Sequence, residues 1–436
     1  MASLSSSTIF ACSSGAGRAG IAVWRVSGAQ AGQVIDQLTK GRRPKPRYAA
    51  HRVIYDLDGD QIDDGLILWL PGPNTVTGED VAEFHLHGSI AVGDKFASVL
   101  TALGLEPAAS GAFTMRAFAH GQMDLLGVEG LGDLLDAETE SQRKQALNSH
   151  VARDKTMVWR EGFVKSLASL EAAVDFPDEE DVPDTIANQA LPIIKDLYKD
   201  IKASLAETRQ GQKIREGVSL AIIGPPNVGK SSLLNRLLGE DRAIVSDRPG
   251  TTRDIVSARF NIAGRVVNIL DTAGLRKESQ DKIEKEGMAR SLQTAKEADI
   301  ILLVEDEYSH LKSFEKELEN LNFIRVKNKI DMQGPSDKVD INVSAQTGEG
   351  VRALLSRLEK EIISTASPSL FPRERQARLL ELCEQRLRYI LDNPAQEAEL
   401  LSEDIRLCVT ALDQLVGRIS TEDVLGSIFS SFCIGK

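Results

Sequence analysis

The sequence predicts a multidomain fold with an α+β N-terminal domain, an α-helical domain, and an α/β domain inserted into the helical one. Three observations lead to this prediction. The chain has 436 residues, enough for two or three domains. Helix-forming sequence occupies two separate stretches. Between them strands alternate with helices, a pattern typical of a parallel sheet with crossover helices.

The order of these elements sets the predicted domain limits. The N-terminal domain, 1–118, contains the strand-like runs "GIAVWRVSG" and "GLILWLPGP" and the helical periodicity of "AVGDKFASVLTALG". Residues 119–216 are almost continuous helix former, broken by an acidic, Pro-punctuated loop at 175–184. The α/β domain follows at 217–363, and the second part of the helical domain at 364–436.

Composition excludes some classes of protein. The net charge of −12 argues against a protein that covers itself with nucleic acid, so RNA contact would need a local basic patch or a more basic partner. The four cysteines form no CxxC pair, which favours a reducing compartment without disulfides or zinc. No apolar run approaches the ~18 residues that span a bilayer. The Ser-rich first residues are too Gly-rich for the amphipathic helix of a transit peptide. We therefore expect a cytoplasmic protein without membrane association.

A phosphate-binding loop lies in "SLAIIGPPNVGKSSLL", where Gly224-x4-Gly229-Lys230-Ser231 separates a strand from a helix. The glycines let backbone N–H groups approach the phosphates, Lys230 supplies charge, and the Ser231 hydroxyl ligates Mg²⁺. This motif predicts a Ras-like P-loop domain. The predicted contacts in the loop are Asn227, Val228, Gly229, Lys230, Ser231 and Ser232.

Two later segments match the switches of nucleotide hydrolases. Thr252 in "PGTTRD" is placed to close on Mg²⁺ and the γ-phosphate, and Asp271 follows the strand-like "VVNIL", where it can reach the metal through water. The predicted nucleotide contacts in these segments are Ser246, Asp247, Arg248, Pro249, Gly250, Thr251, Thr252, Asp271, Thr272, Ala273 and Gly274.

The base-recognition segments predict guanine specificity. In "KNKID", Asp331 can accept the N1–H and the exocyclic amine of guanine, while Asn328 and Lys329 support the base. Adenine would leave that carboxylate unpaired, so the site should reject ATP. In "NVSAQ", Ser344 and Ala345 follow another strand, where a backbone N–H can meet the guanine oxygen.

The residue after "DTAG" raises a question about catalysis. In Ras-type switches a Gln there positions the attacking water, but here it is Leu275, which has no polar atom. Either the chain does not hydrolyse GTP or another group positions the water. Arg253 and Arg276 beside the switches could act as arginine fingers in cis, although ordinary salt bridges are the favoured interpretation.

Further stretches carry a resemblance to a known family. The C-terminal "SIFSSFCIGK", the "DFPDEED" of the helical region, and "GIAVWRVSG" with "PGPNTVTGEDVAEFHLHG" resemble the MnmE (TrmE) family of tRNA-modification GTPases over essentially the whole chain. The resemblance implies a homodimer that joins the flavoprotein MnmG (GidA) in a heterotetrameric complex. Together they would add a carboxymethylaminomethyl or aminomethyl group to carbon 5 of the wobble uridine of certain tRNAs.

The resemblance also implies a folate site in the N-terminal domain, for 5,10-methylenetetrahydrofolate or 5-formyltetrahydrofolate. Arg25, Glu83 and the C-terminal Lys436 match its residues. Gln122 stands where some relatives have Lys, so its contribution is uncharged. For Cys433 three interpretations stay open: a buried thiol, a residue beside the folate, and direct covalent catalysis.

For hydrolysis, the resemblance implies that K⁺ takes the place of an arginine finger and that Glu284 orients the attacking water. Mg²⁺ would be held by Ser231 and Thr252. The implied K⁺ ligands are Asn227, Ser246, Arg248 through its backbone, and Thr251.

Two features have competing interpretations. His85 and His87 point the same way on a strand and could share a metal, but packing or hydrogen bonding is favoured because no third ligand is evident. The Arg-rich "FPRERQARLLELCEQRLRYI" could face RNA, but interleaved Glu residues favour an ordinary solvated helix.

Three other functions compete with the leading one. They are a ribosome-assembly GTPase, a GTP-switched scaffold with little turnover, and a stand-alone folate-dependent transferase whose G domain only regulates.

Overall fold

A computed structural model describes residues 7–15, 17–175, 183–239, 256–270, 292–307, 318, 321, 323–394, 397–419 and 422–435. The chain divides into two compact units. The first comprises Met1–Gly132 with Leu412–Lys436, and the second comprises Asp133–Ala411. The predicted domain limits at 118, 216 and 363 remain predictions.

A six-stranded sheet forms the centre of the first unit. Its strands are β1 (Ile9–Cys12), β2 (Ala19–Ser27), β3 (Ala50–Tyr55), β4 (Gln61–Leu70), β5 (Val81–Gly88) and β6 (Glu106–Pro107). They lie in the order β3-β4-β5-β2-β1-β6 and are antiparallel except for the parallel pair of β1 and β6. The strands predicted in "GIAVWRVSG" and "GLILWLPGP" are confirmed as β2 and β4.

The two faces of this sheet have different roles because side chains alternate along each strand. Helices α1 (Ala31–Leu38) and α2 (Ile90–Ala102) pack on one face, where Phe96 contacts Trp24 and Phe84 at centroid distances of 5.5 and 5.0 Å. The opposite face carries Arg25 and Glu83. Helix α3 (Ala112–Ala119) packs on that face through Phe113. The helix predicted in "AVGDKFASVLTALG" is confirmed as α2.

The C-terminal segment returns to this sheet within the first unit. Near its end, Phe429 and Phe432 pack with Leu125 of α4 (Leu125–Asp136). The Ser13 hydroxyl then donates to the Gly435 carbonyl at 2.9 Å. The C-terminal segment therefore ends beside the end of β1, next to the strand that carries Arg25.

The second unit contains the predicted α/β arrangement. Its strands are β7 (Val218–Ile223), β8 (Val256–Ile262), β9 (Arg265–Leu270), β10 (Ile300–Glu305), β11 (Phe323–Lys327) and β12 (Ile341–Asn342), in the order β12-β11-β10-β7-β9-β8. The sheet packs against α8 (Lys230–Leu238) and α10 (Val351–Thr365) in a buried hydrophobic core.

The expectation of a parallel sheet is wrong at one edge. Strand β8 runs antiparallel to β9, and the other neighbours are parallel. Ala263 and Gly264 join the two strands with φ values of 53° and 72°. Two consecutive positive φ angles are typical of the tight turn of a hairpin, which joins antiparallel strands only.

Helices make up the rest of the second unit. They are α5 (Glu140–Leu147), α6 (Ser149–Asp175), α7 (Pro183–Glu216), α11 (Glu374–Asp392) and part of α12 (Ala398–Val416). The Gln145 amide connects three segments, because it donates to Gly211 O at 2.9 Å and accepts from Ser369 N at 3.1 Å. The rings of Trp159 and Phe371 stack with their centroids 5.4 Å apart. Long helices before and after the α/β segment are thus confirmed.

The Arg-rich helix α11 pairs its charges within the chain. Arg378 pairs with Glu374, and Arg386 contacts Asp404 of α12 at 3.1 Å. These pairs favour the solvated-face interpretation over an RNA-facing helix. Among the described residues, no helix has the length and apolar character needed to cross a membrane.

Candidate functional site

Two glycines of the phosphate-binding loop occupy positions that no other residue would fit. Gly224 has φ 146°, and a Cβ there would lie 2.1 Å from the Val304 carbonyl oxygen of β10. Gly229 has φ 91°, and a Cβ there would lie 2.3 Å from Nδ2 of Asn328. The loop therefore passes so close to its neighbours that glycine is required for space as well as for backbone conformation.

The charged and hydroxyl groups of the loop lie at the start of α8. Lys230 Nζ donates to the carbonyls of Gly224 at 2.9 Å and Pro225 at 2.7 Å, so its ammonium group lies within the loop. Ser231 and Ser232 are in the first turn of α8, where backbone N–H groups point along the helix axis towards the loop. This arrangement is a general anion-binding site at a helix N-terminus.

The guanine-recognition residues are tied to the phosphate-binding loop. Asn328 donates from Nδ2 to Val228 O at 2.9 Å and accepts at Oδ1 from Ala345 N at 3.0 Å. Lys329 Nζ contacts Asn227 O at 2.5 Å and Asp306 at 2.9 Å. The segments after β7, β11 and β12 thus meet at one edge of the sheet. No sequence motif predicts these links to the loop.

The guanine-binding groups differ in how they are engaged. Asp331 lies in the first turn of the short helix α9 (Ile330–Gln333). Its side chain is exposed and accepts no hydrogen bond from the part of the chain that the structure describes. The N–H groups of Ser344 and Ala345 are bonded within the protein, to Glu349 O and Asn328 Oδ1. An Ala345 contact to the guanine oxygen would therefore compete with its bond to Asn328.

Several predicted residues lie outside the described residues. These are the switch residues Ser246, Asp247, Arg248, Pro249, Gly250, Thr251, Thr252, Asp271, Thr272, Ala273 and Gly274, together with Arg253, Leu275, Arg276, Glu284 and Lys436. Their predicted roles remain predictions.

In the first unit, the predicted folate residues Arg25 and Glu83 form an ion pair. They are register partners on β2 and β5. Arg25 donates from Nε at 3.0 Å and from Nη2 at 2.8 Å to the same oxygen, Glu83 Oε1. The guanidinium carbon lies 5.7 Å from the ring centre of Phe113. Both side chains are less than one-fifth exposed, so the pair is largely shielded from water.

A second charged pair on this face was missed from the sequence. Arg116 of α3 donates from Nη1 to Glu79 Oε2 at 2.7 Å and from Nη2 to Ser7 O at 2.7 Å. Ser27 donates to the same Glu79 oxygen at 2.7 Å. No local pattern marks these residues, because their burial arises only when the sheet and α3 come together.

The structure places Gln122 away from the ion pair's hydrogen bonds. Its Nε2 donates to the Pro73 carbonyl at 3.2 Å, and its side chain is exposed. Cys433 is also exposed, so the buried-thiol interpretation is wrong. By contrast, Cys408 is buried, and the hydrogen bond with Cys383 and burial raise the pKa of the Cys408 thiol.

The two histidines of β5 each lie beside a carboxylate. His87 Nδ1 lies 2.8 Å from Asp63 Oδ1, and this hydrogen bond raises the pKa of His87. His85 Nε2 lies 3.6 Å from Glu83 Oε2. Within the described ranges, no group of three or more His, Cys, Asp or Glu side chains could hold a metal ion. Hydrogen bonding is therefore the better account of His87.

Comparisons with known proteins cover nearly the whole chain. Residues 8–122 match the family model of the GTP-binding protein TrmE N-terminus, and residues 125–433 match that of the MnmE helical domain. The tRNA modification GTPase MnmE of Maricaulis maris is 44% identical over 437 residues, covering 98% of this chain and 99% of that protein. Its counterpart in Rhodopseudomonas palustris is 42% identical over 445 residues, with 99% of each chain covered.

A solved structure of Era from Aquifex aeolicus bound to GDP.AlF4- is 28% identical. The match covers 40% of this chain and 66% of that chain, with a TM-score of 0.25. The assignment rests instead on the two family models and on relatives that match from end to end. The chain belongs to the MnmE family of tRNA modification GTPases.

Proposed function

We propose that this chain is a K⁺-activated GTPase that acts with MnmG on tRNA. The complex would add a carboxymethylaminomethyl or aminomethyl group to carbon 5 of the wobble uridine, using a one-carbon tetrahydrofolate. The observation that carries the proposal is the presence of two separate sites in one family member: a phosphate-binding loop tied to a guanine-recognition segment, and a shielded Arg25–Glu83 pair in the other unit.

The described part of the nucleotide site fits the ions that the proposal requires. Ser231 lies in the first turn of α8 and would ligate Mg²⁺ together with Thr252. The exposed Asn227 side chain, with Ser246, the Arg248 backbone and Thr251, would hold K⁺. When bound, these cations would supply positive charge against the charge that develops in hydrolysis. The chain's own groups position GTP through the loop N–H groups and Lys230.

Charge and chain coverage favour this function over ribosome assembly. Residues 8–122 and 125–433 match family models of TrmE and MnmE domains, which supports tRNA modification over ribosome assembly. With a net charge of −12, the homodimer would rely on MnmG for much of its contact with tRNA.

Guanine specificity should reside in Asp331. Replacing Asp331 by Asn changes an acceptor of the guanine amine into a donor, so the preference should shift from GTP towards xanthosine triphosphate. Affinities for both nucleotides, measured by fluorescent-nucleotide titration in wild type and variant, check this. The control is the Asp337→Asn variant, because Asp337 is also exposed and also precedes β12 in the sequence. An unchanged GTP preference in the Asp331 variant would contradict the assignment.

Folate binding should depend on Glu83 and on the C-terminal residues. We expect full-length protein to bind 5-formyltetrahydrofolate, and Glu83→Ala to weaken binding by roughly tenfold to a hundredfold, the range for one charged hydrogen-bonding group. Removal of residues 433–436 should also weaken binding, because Gly435 holds this segment beside β1. Calorimetry measures the affinities.

A Lys436→Ala variant removes only the charge of that side chain. It therefore distinguishes loss of this charge from loss of residues 433–436. Equal affinities in wild type, Glu83→Ala and the truncation would rule out this pocket.

A further inference from the structure

The Arg25–Glu83 pair has a third neighbour on the same face of the sheet. His85 lies two residues after Glu83 on β5, so both side chains project to one side. The register partners of His85 are Val23 on β2 and Leu66 on β4. Both partners are aliphatic and offer no hydrogen-bonding side chain. His85 thus depends on Glu83 for a polar contact along the sheet.

Within the described residues, the Glu83 carboxylate and the His85 imidazole each have a polar atom without a hydrogen bond. Both Arg25 donors go to Glu83 Oε1. Glu83 Oε2 accepts no hydrogen bond from the described residues, and His85 Nε2 approaches it only to 3.6 Å, which is beyond hydrogen-bond distance. That nitrogen is buried and has no hydrogen-bond partner in the part of the chain that the structure covers. A buried polar atom without a partner costs free energy and requires an explanation.

The neighbouring carboxylate shows that this face can satisfy such groups. Glu79 Oε2 accepts from Ser27 Oγ at 2.7 Å and from Arg116 Nη1 at 2.7 Å. One oxygen of Glu79 thus accepts two donors from the protein, as Glu83 Oε1 does. Glu83 differs from Glu79 in having a buried nitrogen without a hydrogen-bond partner, His85 Nε2, 3.6 Å from its second oxygen.

We propose that His85 is a positioning residue for Glu83 in the binding of a reduced folate, an inference that rests on the proposed folate site. A pterin ring presents neighbouring N–H donors on one edge, and a carboxylate accepts such donors with its two oxygens. Arg25 fixes one oxygen. A shift of a few tenths of an ångström brings His85 Nε2–H into hydrogen-bond range of the other, which orients Oε2 towards the ligand.

The surrounding charges support this assignment. Arg25 faces the carboxylate from β2, and the neutral Phe113 ring faces Arg25 from α3. The next histidine on the strand, His87, is exposed and engaged with Asp63 of β4. His85 is therefore the imidazole placed to act on Glu83, and His87 provides a matched control on the same strand.

The test compares replacements at His85 in full-length protein by calorimetry with 5-formyltetrahydrofolate. His85→Leu removes the donor and should raise Kd about tenfold, whereas His85→Gln keeps an N–H donor and should remain within about threefold of wild type. His87→Gln should bind as wild type does. GTP hydrolysis and thermal unfolding confirm that each variant is folded, and His85→Met repeats the test should the Leu variant unfold.

Rescue by Gln distinguishes positioning from packing. If His85→Leu and wild type bind equally while Glu83→Ala loses binding, the role of His85 is wrong but the folate site stands. Equal losses in the Gln and Leu variants would also overturn the donor role. If Glu83→Ala itself binds normally, the proposed folate site fails and the His85 inference fails with it.

Discussion

Replacing Glu284 by Ala should lower the rate constant of GTP hydrolysis by about 10²-fold, on the scale of losing a positioned acid–base group. Nucleotide affinity should barely change, because the phosphate and guanine contacts come from other residues. The physical reason is Leu275, which cannot hold a water where Ras-type switches have Gln. Glu284, implied by the family resemblance, is the carboxylate that we expect to orient the nucleophile instead. Single-turnover hydrolysis measures the effect.

The rate of GTP hydrolysis in the same assay should depend on the monovalent cation. Hydrolysis should be much faster in K⁺ than in Na⁺ and should rise as G domains dimerise, since K⁺ is proposed to replace the charge of an arginine finger. Glu286→Ala, two residues away, is the matched control and should retain activity. Equal rates in both salts with a fully active Glu284→Ala variant would show that another group compensates for Leu275. Absence of turnover under every condition would favour the GTP-switched scaffold.

Gly229→Ala should reduce GTP affinity by about a hundredfold or more. The new Cβ would lie 2.3 Å from Asn328 Nδ2, in a backbone conformation with φ 91°. Strain of this kind costs about 1–3 kcal/mol. Displacement of Asn328 would also break its hydrogen bond to Val228 O, at about 1 kcal/mol. Equilibrium titration with a fluorescent GTP analogue gives the affinity, and thermal unfolding checks that the variant is folded.

Gly334→Ala serves as the control for backbone strain alone. It has φ 73° with nothing within 4 Å of an added Cβ, so it carries strain without a clash. GTP affinity should be close to wild type there. If the two variants lose affinity equally, the close approach of Gly229 to Asn328 has no special role.

The nucleotide site could be predicted to a large extent because its motifs are contiguous. Gly224 to Gly229 form one loop between β7 and α8, and "KNKID" begins at the last residue of β11. The contacts that join these motifs could not be predicted. Asn328 and Val228 are 100 residues apart, and only the parallel order of the strands brings them together.

The contacts of the first unit were harder to predict, because they too join residues that lie far apart in the sequence. Arg25 and Glu83 are 58 residues apart, and their pairing depends on the register of β2 and β5. The family resemblance placed both residues in one folate pocket but did not predict that they pair. The hairpin of β8 and β9 was missed because Ala263-Gly264 lacks the Asn-Gly or Asp-Gly pair that normally marks a tight turn.

GTP hydrolysis by this chain should support wobble-uridine modification in tRNA. The most direct measurement is the wobble-nucleoside profile of tRNA, by mass spectrometry, from cells that lack the chain and from the same cells supplied with wild type or Glu284→Ala. We predict loss of the carboxymethylaminomethyl or aminomethyl uridines, recovery with wild type, and no full recovery with Glu284→Ala. An identical nucleoside profile with and without the chain would show that it has no role in this modification.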